Sequence, residues 1–160
     1  MFFYGVAPGA NQTTNATPNT ENDGFFIAPG AQKVYLTYAT AFGKAAQLTS
    51  LSGIVNRIKV WTSTASSGGT PITPQALDQG NTVAATATAG FATGAVTPGT
   101  GGPSLKSAIG CSVSNPGFFD SQGNLDKAVA IPGGATKSID LFNASGTASL
   151  NFELAATIGE

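Results

Sequence analysis

Histidine is absent from the 160 residues. That removes the general base of Ser-His-Asp and Cys-His nucleophiles, and the commonest transition-metal ligand with it. The single cysteine permits no intramolecular disulfide. It sits in Ile109-Gly110-Cys111-Ser112-Val113, the setting of a small hydrophobe on a strand and not of a reactive thiol. The acids Glu21, Asp23, Asp78, Asp120, Asp126, Asp140, Glu153 and Glu160 show no spacing that nominates a paired-carboxylate site. Gly133-Gly134-Ala135-Thr136-Lys137-Ser138 has a Lys-Ser pair but not the glycine spacing of a phosphate loop. Neither Gly-x-Gly-x-x-Gly opening a helix nor Gly-x-Ser-x-Gly occurs. Asp120-Ser121-Gln122-Gly123-Asn124-Leu125-Asp126 resembles part of a calcium loop, yet lacks the alternating acids and the closing bidentate Glu, and reads as a polar loop between strands. The residues therefore nominate no catalytic, cofactor-binding or metal-ligating group, and the chain reads as a non-enzyme.

Charge points the same way. The net charge is −1, and of the basic residues Lys33, Lys44, Arg57, Lys59, Lys106, Lys127 and Lys137 only Arg57 and Lys59 lie close together. Without a basic patch, nucleic-acid binding lacks its counterion-release term. Charged residues make up 9% of the chain, against roughly 25% in an average domain. The deficit is filled by Ala, Gly, Thr, Ser and Asn. Two readings fit that composition equally: a surface that rests against other surfaces, where charge is depleted, or a Thr/Ser-coated soluble β surface. No apolar run approaches the ~20 residues that span a bilayer, so no membrane partner is expected. The start, Met1-Phe2-Phe3-Tyr4-Gly5, lacks a basic n-region and Pro8-Gly9 interrupts it early. The expectation is synthesis and folding in a cytoplasm.

The elements that would position any site are strands. Val34, Leu36 and Tyr38 alternate with Lys33, Tyr35 and Thr37. Ile54, Asn56, Ile58 and Val60 alternate with Val55, Arg57, Lys59 and Trp61. Leu105, Ile109, Cys111 and Val113 follow, then the run Val129-Ala130-Ile131. Ile139 and Leu141 alternate with Ser138 and Asp140, and Leu150, Phe152 and Leu154 with Asn151 and Glu153. The separators are turn chemistry: Ser66 to Pro71, Pro98 to Pro103, Asn115-Pro116-Gly117, Pro132-Gly133-Gly134 and Asn143 to Gly146. The best helix candidates are short, Thr40 to Ser52 and Pro74 to Leu77. The pattern predicts an all-β fold, an antiparallel β-sandwich or a barrel.

Residues 1–32 differ from the rest. Phe2, Phe3 and Tyr4 lead into the polar stretch Asn11 to Thr20, and Phe25-Phe26-Ile27 close it. Apolar anchors at both ends of a polar connector predict an extended N-terminal arm before a sandwich domain at 33–160. Phe2, Phe3, Tyr4, Phe25 and Phe26 are its expected partner-binding residues. A frayed terminus followed by a long surface loop accounts for the same residues.

Residues 61–90 run from Trp61-Thr62-Ser63-Thr64 through Ser67-Gly68-Gly69-Thr70-Pro71-Ile72-Thr73-Pro74 and Asp78-Gln79-Gly80-Asn81 into an Ala/Thr-rich stretch. This resembles a segment of small virion proteins of tailed bacteriophages. Ile131-Pro132-Gly133-Gly134 and the closing Gly146 to Leu154 fit the same pattern, so the resemblance covers roughly 33–160. The final residues lack the family's aromatic and acidic ending, and the long polar N-terminal segment is an addition. The resemblance implies a jelly-roll-like sandwich that decorates or cements a phage head. Its expected partners are the major capsid protein and further copies of itself, a homotrimer by expectation, and its expected location is the capsid surface of the virion. The rival functions are a tail- or fibre-associated receptor-binding module and a carbohydrate-binding sandwich.

Overall fold

Strand follows strand because the apolar residues recur at every second position between turn clusters, a period that buries one face of each strand and leaves the other for solvent or a cover. The computed structural model describes residues 1–8, 12–13, 22–43, 54–102, 104–111, 115–134, 136–143 and 151–160. In it the chain is all-β, with two antiparallel sheets packed face to face. In sheet I, β4 (Val34–Gly43) pairs on one side with β10 (Gly117–Asp120) and β11 (Val129–Ile131), set end to end. Its other side pairs with β13 (Asn151–Gly159). Beyond β13 lie β1 (Phe3–Val6) and β2 (Gln12–Thr13), and β7 (Gln75–Ala76) edges β1. Sheet II has the order β6 (Ser67–Ile72), β8 (Thr88–Thr97), β3 (Asn22–Ala28), β12 (Ser138–Asn143), β5 (Ile54–Trp61), β9 (Ser104–Cys111).

The jelly-roll-like character lies in how pairs recur across the two sheets. β4 pairs β13 in sheet I while β5, next in the chain, pairs β12 in sheet II. On the other flank β4 pairs β10 while β5 pairs β9. β4 and β5 are thus flanked on one side by β13 and β12 and on the other by β10 and β9, one of each pair in each sheet.

The core lies between the inward faces. Tyr4, Phe25, Ile27, Leu36, Ile58, Ile139, Leu141, Phe152 and Ile158 are fully or almost fully buried there. Each such side chain contributes about 1.5–3 kcal/mol from leaving water. The alternations expected for Ile58 and Val60, Ile109 and Cys111, Ile139 and Leu141, and Phe152 and Leu154 all point inward as read. Val113 and Leu150 lie outside the described residues.

The structure corrects four expectations. The first concerns the boundary at 32/33. β1 is paired with β13 and β7, and β3 is an interior strand between β8 and β12. These parts of 1–32 belong to the sandwich and are no separate arm, because Tyr4, Phe25 and Ile27 complete the core that 33–160 leave open. Most of the polar stretch 11–20 lies outside the described residues.

The second concerns Tyr38. β4 carries an extra residue opposite the Thr157/Ile158 step of β13. Thr37 is the bulge: it is buried, and its hydroxyl donates to the Thr157 carbonyl at 3.2 Å. One added residue reverses the alternation. Tyr38 therefore faces outward, not inward with Val34 and Leu36.

The third is the Ser66–Pro71 cluster, which is the edge strand β6 from Ser67 onward and not a turn. Gly68 and Gly69 take φ of 81° and 71° where its pairing with β8 slips, a conformation that favours glycine. Pro71 suits an edge because it needs no ladder donor there.

The fourth is the helix candidates. Pro74–Leu77 contains β7, and the described part of Thr40–Ser52, residues 40–43, is strand. Among the described residues the one helical element is a single 3-10 turn, Leu125–Lys127. The Asn124 side chain caps it, accepting from the Asp126 amide at 2.9 Å.

Candidate functional site

Two polar clusters were the places where chemistry could have been assembled. In the first, β12 and β5 bring together Ser138, Asp140, Lys59 and Trp61 on the outer side of sheet II, where loop residue Ser66 covers them. The Asp140 carboxylate accepts from the hydroxyls of Ser66 and Ser138 and from the Trp61 indole, the last at 3.1 Å. The Ser66 hydroxyl oxygen accepts the Gly99 amide at 2.9 Å, and the Ser138 hydroxyl oxygen accepts the Ser66 amide at 3.0 Å. Burial pushes the Asp140 carboxyl up to about 6, against the pull of Ser138, Ser66, Trp61 and Lys59. Lys59 is pulled down by burial and pushed up by Asp140, and its ammonium lies 4.8 Å from the Phe142 ring centre. The residues of this network are buried or half-buried. It fastens the loops after β5 and β8 to the sheet.

The second cluster is Asp120–Asp126. Asp120 and Asn124 spend side-chain oxygens on the amides of Gln122 and Asp126, at 2.6 and 2.9 Å. These are local turns of the backbone. Among the described residues no group of three or more His, Cys, Asp or Glu gathers.

What the surface offers is apolar. Met1, Phe2, Phe3, Leu77 and Val83 are 56, 46, 42, 57 and 50% exposed. They come from segments far apart in the chain and meet at the β1 edge of sheet I. The geometry follows from local bonding. Phe2 exchanges both backbone hydrogen bonds with Glu160, at 2.9 and 3.0 Å, which extends the β1–β13 ladder. The Leu77 amide donates to the Phe3 carbonyl at 3.0 Å. The stretch from Leu77 to Ala87 then turns through Asp78 and Asn81, whose side chains accept the amides of Gly80 and Val83. Glu160 clamps its far end, accepting from the amides of Thr86 and Ala87 at 2.8 and 2.7 Å. The Tyr4 hydroxyl holds the Val83 carbonyl at 3.1 Å. Two clefts flank the aromatic rings. One of about 410 Å³ lies among Met1, Phe2, Phe3, Leu77, Asp78 and Asn81. The other, about 200 Å³, is lined by Met1, Phe2, Tyr4, Val83 and Glu160 among others. Gly159 keeps the floor low: a Cβ there would lie 3.0 Å from the Met1 sulfur and 3.2 Å from the Phe3 ring.

Of the five expected partner-binding residues, Phe2 and Phe3 lie in this patch. Tyr4 and Phe25 do not, being 1 and 0% exposed in the core. Phe26 points to the other side of β3 and is also buried, with its ring against Gly90. Parity separates exposed Phe3 from buried Tyr4 on β1, whereas Phe2, just before the strand, is exposed and Phe25 and Phe26 are buried on opposite sides of an interior strand. Sequence reasoning missed Leu77 and Val83, which carry no periodic signal because they lie on an irregular connection.

No protein-family model, no curated protein and no solved structure matches the chain.

Proposed function

We propose that this protein is a non-enzymatic structural protein of a tailed-phage virion, decorating or cementing the capsid by binding across neighbouring capsid subunits. The observation that carries the reading is the exposed patch of Met1, Phe2, Phe3, Leu77 and Val83. Half-exposed aromatic and aliphatic side chains gathered on one edge gain little in water, whereas a Phe buried against a partner contributes on the order of 1.5–3 kcal/mol. The low charge and the resemblance of residues 33–160 to small virion proteins support the same reading. A specific contact buries roughly 1,600 Å² in total, and repetition over a symmetric shell turns a modest single-site energy into firm attachment.

The test is co-sedimentation of the purified chain with capsid shells that lack their decoration. The unaltered protein is expected to saturate the shells. Phe2→Ala with Leu77→Ser is expected to lower affinity at least tenfold while the fold is retained. Saturation by that variant at unchanged affinity would overturn the reading.

A further inference from the structure

The apolar patch at the β1 edge is built from two kinds of backbone. Phe2 and Phe3 are fixed by the β1–β13 ladder and its extension to Glu160. Leu77 and Val83 stand on the connection 77–87, which joins no ladder: β7 ends before it and β8 begins after it. Apart from Asn81, Ala85 and Ala87, its residues are exposed. The bonds from the Gly80 and Val83 amides to the Asp78 and Asn81 side chains shape the connection but do not tie it to the sheets.

Three groups on β1 and just beyond β13 do tie it. The Phe3 carbonyl accepts the Leu77 amide at 3.0 Å, at the hinge with β7. The Tyr4 hydroxyl donates to the Val83 carbonyl at 3.1 Å in the middle. At the far end the Glu160 carboxylate takes three donors, the amides of Thr86 and Ala87 at 2.8 and 2.7 Å and the Thr86 hydroxyl at 3.3 Å. The Gln32 amide adds a longer bond to that hydroxyl oxygen, 3.3 Å. What the connection gives the core is two small side chains, Ala85 and Ala87. Apolar burial therefore holds it weakly, and the polar ties decide its place. Bonds to an ionised group are the stronger ones, and Glu160 supplies three of them.

We propose that the connection 77–87 is a strap with a fastened and a released state, that Glu160 and Tyr4 are the positioning residues that keep it fastened, and that the fastened state is the one a partner binds. Release takes Val83 away from Phe2 and removes a wall of the cleft of about 200 Å³ that both line. A segment held by a few polar ties opens locally, without unfolding of the sheets. A partner seated on the complete patch selects the fastened state and holds it closed in return. The strap itself follows from the bonds; its control of binding rests on the reading of this patch as the capsid-binding surface.

Hydrogen exchange at the Thr86 and Ala87 amides of the full chain tests the strap with no partner present. Glu160→Ala, which removes their acceptor, should speed both by about tenfold or more, with the amides of β4 and β13 unchanged. Tyr4→Phe is the decisive variant. It keeps the ring in the core and touches neither amide, yet it should speed both, because the strap opens as one unit. Unchanged exchange of the two amides in Tyr4→Phe overturns the proposal. Adding decoration-free capsid shells in excess should slow both amides of the unaltered chain by about tenfold or more. Shells that bind and leave the exchange unchanged overturn the control of binding by the strap. Shells that do not bind the unaltered chain overturn the capsid reading instead, and the Tyr4→Phe comparison still decides the strap.

Discussion

Asp140 and Lys59 are direct cross-strand partners on β12 and β5, both buried on the outer side of sheet II. Each stands in a setting that disfavours its charge, and each partly restores the charge of the other. A buried pair of this kind costs desolvation, so it is weak evidence of net stability by itself. Its role is positional: the carboxylate gathers donors from Ser66, Ser138 and Trp61 and so holds two loops to one strand.

The pH dependence of stability follows. The Asp140 carboxyl is raised from 3.8 to about 6 in the fold, so ionising it costs more in the folded than in the unfolded chain. Its contribution is largest below pH 4 and is lost as pH rises through 6. The loss is on the order of 3 kcal/mol. Urea denaturation at intervals between pH 4 and 7 should show this fall, and Asp140→Asn should flatten it. A wild-type profile that rises through that window would contradict the assignment.

Phe25 and Phe2 were alike as candidate anchors but occupy opposite environments, 0 and 46% exposed. Phe25→Ala is expected to cost about 3–5 kcal/mol through lost burial and the cavity left behind. Phe2→Ala is expected to stay within about 0.5 kcal/mol. Equal effects of the two in chemical denaturation would mean that β3 is not an interior strand.

Gly117 is where β10 approaches β9. A Cβ there would lie 2.0 Å from the Gly110 carbonyl oxygen and 2.6 Å from Ile109. Backbone cannot move aside as a flexible side chain can. Gly117→Ala should therefore destabilise by about 1–3 kcal/mol, whereas Gly110→Ala, whose Cβ meets open space, should be nearly neutral. Thermal melts of the two variants provide the comparison.

The Cys111 thiol is buried, and burial pushes its pKa up to about 11. The thiolate is the reactive form. Under native conditions at pH 8 an aromatic disulfide reagent should label it only as fast as the chain opens, and in denaturant at once. Rapid labelling of the folded protein would mean that the β9 end of the core is exposed.

Much of this protein is written in local pattern. The recurrence of Ile58 and Val60, of Ile139 and Leu141 and of Phe152 and Leu154 at every second position is enough to orient three strands, because a period of two admits only two faces and one must be apolar. The absence of histidine and the lone cysteine exclude histidine-activated nucleophiles and an intramolecular disulfide at the level of sequence. Tertiary structure decided the rest. Period two cannot tell which sheet a strand joins, so Phe25 looked like an anchor until β8 and β12 closed around β3. It cannot foresee a bulge either. Thr37 adds one residue against β13, and that residue moves Tyr38 from the core to the outer face. Nor does any local signal bring Leu77 and Val83 beside Phe2, because hydrogen bonds to the Phe3 carbonyl and the Glu160 carboxylate and from the Tyr4 hydroxyl, all distant in sequence, hold their connection in place.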